Sequence, residues 1–249
     1  MNGQRGTGPV RTFVDRTRKL FAVLANRRFR SALLHHRVAA STEHSAVPFD
    51  EARTIVDVGA NRGQFTLFAL ERFPTANVHS IEPHPGALKV LERVAATDPR
   101  VRVYRTAAGA TRHEAVLQLS NEDDSSSFLP VNERYLRVWP NTFTIGSDQV
   151  QVERLDGLLA QRDLIPPALM KIDVQGTELE VLRGTGEMLG DFNEVFVECS
   201  FTELYDGQAL ADDVIGYLRE RGLRLVGIYA PAYDALGNAL QADLLFRRL

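Results

Sequence analysis

The stretch Thr54-Ile55-Val56-Asp57-Val58-Gly59-Ala60-Asn61-Arg62-Gly63 decides the fold. A short apolar run that ends in a glycine-containing turn reads as a strand buried on both faces, followed by a tight exit into a helix. Phe65, Leu67, Phe68, Leu70 and Phe73 supply that helix, which should stop near Pro74. Working outward, Asn77 to Glu82 is the next strand, Ala87 to Ala95 a second helix, and Val101 to Tyr104 a third strand. Strands alternating with helices predict a parallel sheet covered on both faces.

The middle of the chain is less regular. Ala115 to Leu119 alternates like an edge strand, and Val150 to Glu153 reads as a strand before a short helix at Leu155 to Leu159. Regularity returns with a strand over Ala168 to Asp173, a helix over Glu178 to Arg183, and a strand over Glu194 to Glu198. Leu210 to Arg221 is then a helix and Leu223 to Tyr229 a strand. The loop Ala230 to Ala242 leads to a last strand over Asp243 to Arg247. Two strands with no helix between them should pair antiparallel. The expected fold is therefore α/β and Rossmann-like, with a mostly parallel seven-stranded sheet, an antiparallel C-terminal strand and helices on both faces. That is the layout of class I methyltransferases.

In open α/β sheets ligands bind beyond the carboxyl ends of the strands. Gly59 and Gly63 let backbone approach a ligand, Asn61 lies between them, and the helix after Gly63 offers free N–H groups. Glu82, followed by Pro83, can accept hydrogen bonds from both hydroxyls of a ribose. The glycine spacing G-x-x-x-G differs from the G-x-G-x-x-G that seats a pyrophosphate. S-adenosylmethionine has no pyrophosphate, only an amino-acid end and a sulfonium, and Asp57 would favour its positive side. Ala107, after the third strand, is small enough to let adenine lie against backbone. His84 reads as a shaper of the turn into the next helix.

On the acceptor side the chain reads Lys171-Ile172-Asp173-Val174-Gln175-Gly176-Thr177-Glu178. Asp173 should project from the sheet edge beside the donor, Glu178 lies in a first helical turn, and Glu198 ends the next strand. These runs, with Asp57-Val58-Gly59-Ala60-Asn61 and Glu82-Pro83, resemble the FkbM-type methyltransferase family over roughly Ile55 to Glu198. The family's usual K-I-D-V-E-G-x-E run has a glutamate where this chain has Gln175. The resemblance implies O-methylation of a hydroxyl on a sugar, glycolipid, polysaccharide or polyketide. In such a reaction Asp173 orients or deprotonates the acceptor, and Glu178 and Lys171 shape the charge around it. No His/Asp spacing demands a metal, although Asp173, Glu198, Asp123 and Asp124 could converge. The loop Asn121 to Ser127 reads equally as a lid or as a solvated loop. Tyr135, Trp139 and Phe143 could stack on a sugar or pack beneath a loop.

The chain has 249 residues, 44% of them hydrophobic and 24% charged, which suits one α/β domain, residues 48–249, with an appendage, residues 1–47. Arginines crowd that appendage, and between them lie Phe13, Leu20, Phe21, Leu24, Leu33 and Leu34. No run approaches the roughly 20 apolar residues that span a bilayer, and the arginines interrupt any signal-peptide core. A basic helical cap is expected; contact with an anionic membrane surface or with RNA is the other reading. The lone Cys199 permits no internal disulfide and fits a reducing, cytoplasmic setting. A net charge of −3 and the missing N-P-P-[YF] motif argue against RNA as substrate. A nucleotide-dependent oxidoreductase and a non-catalytic scaffold are the remaining alternatives.

Overall fold

A computed structural model describes Lys19, residues 21–121 and residues 125–249. Asp123, Asp124 and all the arginines before Lys19, namely Arg5, Arg11, Arg16 and Arg18, lie outside the described residues. A seven-stranded sheet forms the centre, built from β1 (Thr54–Val58), β2 (Asn77–Ile81), β3 (Val101–Tyr104), β7 (Ala168–Ile172), β8 (Glu194–Ser200), β9 (Leu223–Tyr233) and β10 (Ala239–Arg248). Its order is β3-β2-β1-β7-β8-β10-β9. All neighbours run parallel except β10, which is antiparallel to both β8 and β9. Every residue of β1 and β7 is buried, as two-sided cover requires.

One face carries α2 (Gln64–Arg72), with Phe65 and Phe68 packed on Ile55, Leu169 and Phe196. The opposite face carries α6 (Glu178–Thr185) and α7 (Ala211–Glu220), which bury Val181, Leu182, Val214 and Leu218 against Val56, Met170 and Val197. From β1 the chain builds outward through α2, β2, α3 (Pro85–Ala95) and β3, and later returns to β7 on the other side of β1. The strand order therefore reverses between β1 and β7, and a crevice opens at their carboxyl ends.

Two features depart from the sequence expectation. The segments read as isolated strands in the middle are longer, β5 (His113–Ser120) and β6 (Thr144–Glu153), and they pair antiparallel with each other. With β4 (Ala107–Ala108) they make a second sheet of order β4-β6-β5 beside the crevice. The loop expected over Ala230 to Ala242 is mostly strand, because β9 and β10 continue to a tight turn at Asp234 to Asn238. Toward the N-terminus α1 (Arg27–His36) buries Phe29 and Ala32 with Leu67 of α2 and Val94 of α3.

Candidate active site

Gly59, the first residue past β1, adopts φ +76°, and a Cβ there would fall 1.8 Å from the Asp173 carbonyl oxygen. Only glycine lets the tips of β1 and β7 meet this closely. The Asp173 N–H donates to the Val58 carbonyl at 3.1 Å, which locks the two tips together. Asn61 follows in a left-handed conformation, φ 48°. Its N–H donates to Glu82 Oε2 at 2.7 Å, while the His84 N–H donates to Oε1 at 2.7 Å. Each Glu82 oxygen keeps acceptor capacity for a ligand hydroxyl. Burial pushes this carboxyl up to about 7, against the pull of the His84 and Asn61 N–H groups.

A cleft opens over these groups, lined by Gly59, Asn61, Glu82, Pro83, His84, Ala107, Phe128, Asp173 and Thr177 among others. Three buried polar atoms of its lining, Asn61 Oδ1, His84 Nε2 and Thr177 Oγ1, have no protein partner. Buried polar groups are ordinarily satisfied, so the cleft is built to meet a polar molecule. His84 Nδ1 accepts from the Gly86 and Ala87 N–H groups and caps α3, which leaves the ring proton on the buried Nε2. The mixture of carboxylate, amide, imidazole and small apolar residues suits the ribose and adenine of an adenosyl group.

Asp57 and Lys171 lie behind this wall. Asp57 is fully buried, accepts from Thr66 Oγ1 at 2.8 Å and lies 3.6 Å from Lys171 Nζ. Burial raises the Asp57 carboxyl, opposed by Lys171 and Thr66. Lys171 Nζ also donates to the Gly59 carbonyl at 3.2 Å and lies 3.4 Å from Asp173 Oδ2. Burial disfavours the ammonium, yet Asp173 and Asp57 hold its pKa above the usual lysine range. This lysine thus ties both strand tips together by charge. Gly63 also stands back, at the start of α2, where a Cβ would come 3.1 Å from Leu91.

The loop after β7 is held from beneath by Glu178, whose Oε1 accepts from the Gly176 N–H at 2.9 Å and more weakly from Val174 at 3.4 Å. Burial pushes the Glu178 carboxyl up to about 7 against these donors. Above it Gln175, at φ 58°, accepts at its carbonyl from Ser127 Oγ at 2.6 Å. A second cavity lies on this side, lined by Tyr135, Trp139, Asn141, Asp173, Gln175, Glu198 and Gln241. Asp173 and Gln175 line both spaces.

The structure thus brings Gly59, Asn61, Glu82, Pro83, Ala107 and Asp173 to one cleft and places Asp57, Gly63, Lys171 and Glu178 in its supports. Asp57 and Glu178 are both buried, Asp57 Oδ2 accepting from Thr66 and Glu178 Oε1 from the Gly176 N–H, and neither lines the cleft. Sequence reasoning missed Thr177 and Phe128, and it gave His84 only its capping role. Gln175 was visible as a departure from the family run, but not as a wall of both spaces. Among the aromatics, Tyr135 is buried and packs on Trp139 and Tyr205, whereas Phe143 is exposed and lines neither space. Among the described residues no group of His, Cys, Asp and Glu is arranged to hold a metal.

A strand order that reverses at β1 and β7 and an antiparallel β10 make the Rossmann-like fold of class I methyltransferases. Residues 57–225 match the methyltransferase FkbM domain, and the chain belongs to that family, whose methyl donor is S-adenosylmethionine. Among curated relatives, 2-O-methyltransferase NoeI of Sinorhizobium fredii is 29% identical over 62% of this chain and 66% of its own length. The 31-O-demethyl-FK506 methyltransferase FkbM of Streptomyces tacrolimicus is 29% identical over 72% of this chain and 75% of its own. A crystal structure of methyltransferase FkbM from Methylobacillus flagellatus KT matches with TM-score 0.56 at 16% identity. That match covers 88% of this chain and 52%, about half, of the other.

Proposed function

We propose that the chain transfers the donor's methyl group to a hydroxyl oxygen of a sugar, glycolipid, polysaccharide or related natural product. The single observation that carries this reading is the position of Asp173, which lines the donor cleft on one side and the second cavity on the other. Two relatives whose names specify transfer at oxygen support it. Hydroxyl-binding groups and an aromatic face in the second cavity, Asn141, Gln241 and Trp139, suit a sugar-like acceptor.

When bound, the donor supplies a methyl group on a sulfonium, already electrophilic. The protein's task is then alignment, exclusion of water and removal of one proton. Glu82 holds the ribose hydroxyls, and Asn61, His84 and Thr177 offer their unpartnered atoms to the adenosyl and amino-acid parts. Asp173, steadied by Lys171 and Gln175, orients the acceptor hydroxyl and takes its proton as the new C–O bond forms. Lys171 and Glu178 act from behind, as supports of that carboxylate and its loop.

Residues 1–47 are in this reading a basic cap on the methyltransferase domain at 48–249, cytoplasmic and touching the membrane peripherally. Phe21 and Leu34, 74% and 70% exposed, stand among the exposed Arg27, Arg30 and Arg37, a pattern that suits an anionic lipid surface. No helix among the described residues is long and apolar enough to cross a membrane.

Incubation of the purified chain with methyl-labelled donor and fractionated host extract tests the acceptor class. Label should enter glycan, lipid or small-molecule fractions, and label confined to RNA refutes it. On the acceptor so found, Asp173→Asn should lower turnover by about 100-fold or more, the usual scale of a positioned base. Donor affinity by calorimetry should stay within about threefold, a small fraction of that effect. Full turnover in the variant would remove Asp173 from the chemistry.

A further inference from the structure

Between α1, α2 and α3 lies a third cavity, of about 430 Å³, which shares no lining residue with the donor cleft or the second cavity. Its floor is apolar: Ala32 of α1, Leu67 of α2 and Val94 of α3 are buried together there. Its walls carry opposite charges. Arg27 comes from the first turn of α1 and Glu71 from α2; both are exposed, and neither has an ion-pair partner among the described residues. Arg28, the other cation of the lining, is spent on Asp98 at 2.8 Å. Ser31 adds a hydroxyl one turn after Arg27. His36 also lines the space and keeps a buried Nδ1 with no hydrogen-bond partner, whereas buried polar atoms are ordinarily satisfied.

A lone phosphate in this cavity would meet the Glu71 carboxylate, and a lone ammonium would meet the Arg27 guanidinium. A group that carries both charges matches both walls, its phosphate on the planar fork of Arg27 and its ammonium on Glu71. The surroundings say where such a group comes from. Arg27, Arg30 and Leu34 recur at helical spacing along the exposed side of α1, and Phe21 is exposed one element earlier. A basic helix with apolar side chains between its cations suits the headgroup layer of a membrane. Resting on the peripheral membrane contact proposed above, we infer that this cavity takes the headgroup of a phospholipid bearing a phosphate and a primary ammonium. Glu71 is the residue that selects it, because a quaternary ammonium has no N–H to donate to the carboxylate.

The test uses the purified full chain and sedimentation with two sets of vesicles. Both contain the same share of phosphatidylglycerol, an anionic lipid without an ammonium, the remainder being phosphatidylcholine in one set and phosphatidylethanolamine in the other. Binding should be about five- to tenfold tighter to the phosphatidylethanolamine set, between the scale of an exposed ion pair and that of a hydrogen bond to a charged group. Glu71→Gln should remove this difference and keep the binding to the phosphatidylcholine set, with affinity for S-adenosylmethionine unchanged. Soluble glycerophosphoethanolamine should compete for the difference, and glycerophosphocholine should not. Equal binding to the two sets would overturn the inference and leave the membrane contact standing. A difference that survives Glu71→Gln would come from the looser packing of the phosphatidylethanolamine surface and would overturn it too. Binding to neither set would overturn both.

Discussion

In the proposed reading Glu82 carries both recognition of the ribose and a pH response. Its two oxygens each hold one backbone N–H, and burial still pushes its carboxyl up to about 7. Ribose hydroxyls donate to the ionised form, so donor binding should favour deprotonation and release a proton below that value. Affinity for S-adenosylmethionine should therefore strengthen as pH rises through about 7 and fall by up to about tenfold for each unit below it. Glu82→Gln should bind more weakly at neutral pH and flatten the profile. Calorimetry in buffers of differing ionisation enthalpy measures both the affinity and the protons released. A flat profile in the wild type would mean that Glu82 does not meet the ribose. Gln175 shows the limit of reading single residues: its identity is plain in the sequence, but its role depends on Tyr205 and Glu198, which only the tertiary fold brings near.

At the scale of elements, α6 offers a contest between helix propensity and packing. Gly184 lies in its last turns, where alanine would ordinarily be preferred by about 1 kcal/mol. A Cβ there would fall 1.9 Å from the Gly109 carbonyl oxygen, a backbone atom of the turn after β4. Gly184→Ala should therefore destabilise the fold by roughly 2 kcal/mol or more, as overpacking against backbone does. Urea unfolding measures it, and a gain in stability would show that the helix and the turn can separate freely. The same contrast explains which elements were legible. β1 and β7 are buried on both faces, so their apolar runs mark them with no knowledge of the fold. β5 and β6 expose Val116, Phe143 and Ile145 nearby or along them, and their pairing spans an intervening loop and helix. Their local pattern was therefore weak, and their second sheet was not expected. The extension of β9 through Ala230 and Pro231 was hidden by residues of low strand propensity, which an edge strand tolerates because its outer N–H groups need no partner. The cleft was legible where residues stand at strand tips, as Gly59, Glu82 and Asp173 do. It was illegible where loops fold over it, as with Phe128 and Thr177.

For the whole molecule, gathering acids at one sheet edge sets the pH dependence of stability. Burial raises Glu82, Glu178 and Asp243 to about 7, with Asp173 adding to the effect on Asp243. A carboxyl whose folded pKa is raised contributes stability that is present below its unfolded value, near 4 to 4.5, and lost as pH rises to about 7. His44, lowered to about 4 mainly by burial, works the other way: its contribution is present above 6.5 and lost as pH falls toward 4. Burial raises Asp57, Glu194 and Glu198 as well and lowers His79 as it does His44, so between about 4.5 and 7 the raised carboxyls outnumber the lowered imidazoles and folding takes up protons. The ligand-free chain should therefore lose stability from about pH 5 to 7, on the order of a few kcal/mol. Denaturant melts at constant ionic strength measure this, and Glu82→Gln should make the loss smaller. Saturating donor, which prefers ionised Glu82, should flatten the slope further in the wild type but not in the variant. Stability that is flat or rising across that range would mean the strand-tip acids ionise as freely in the folded chain as in the unfolded one. The cleft would then lack the sequestered, low-dielectric character on which recognition of the ribose by Glu82 depends.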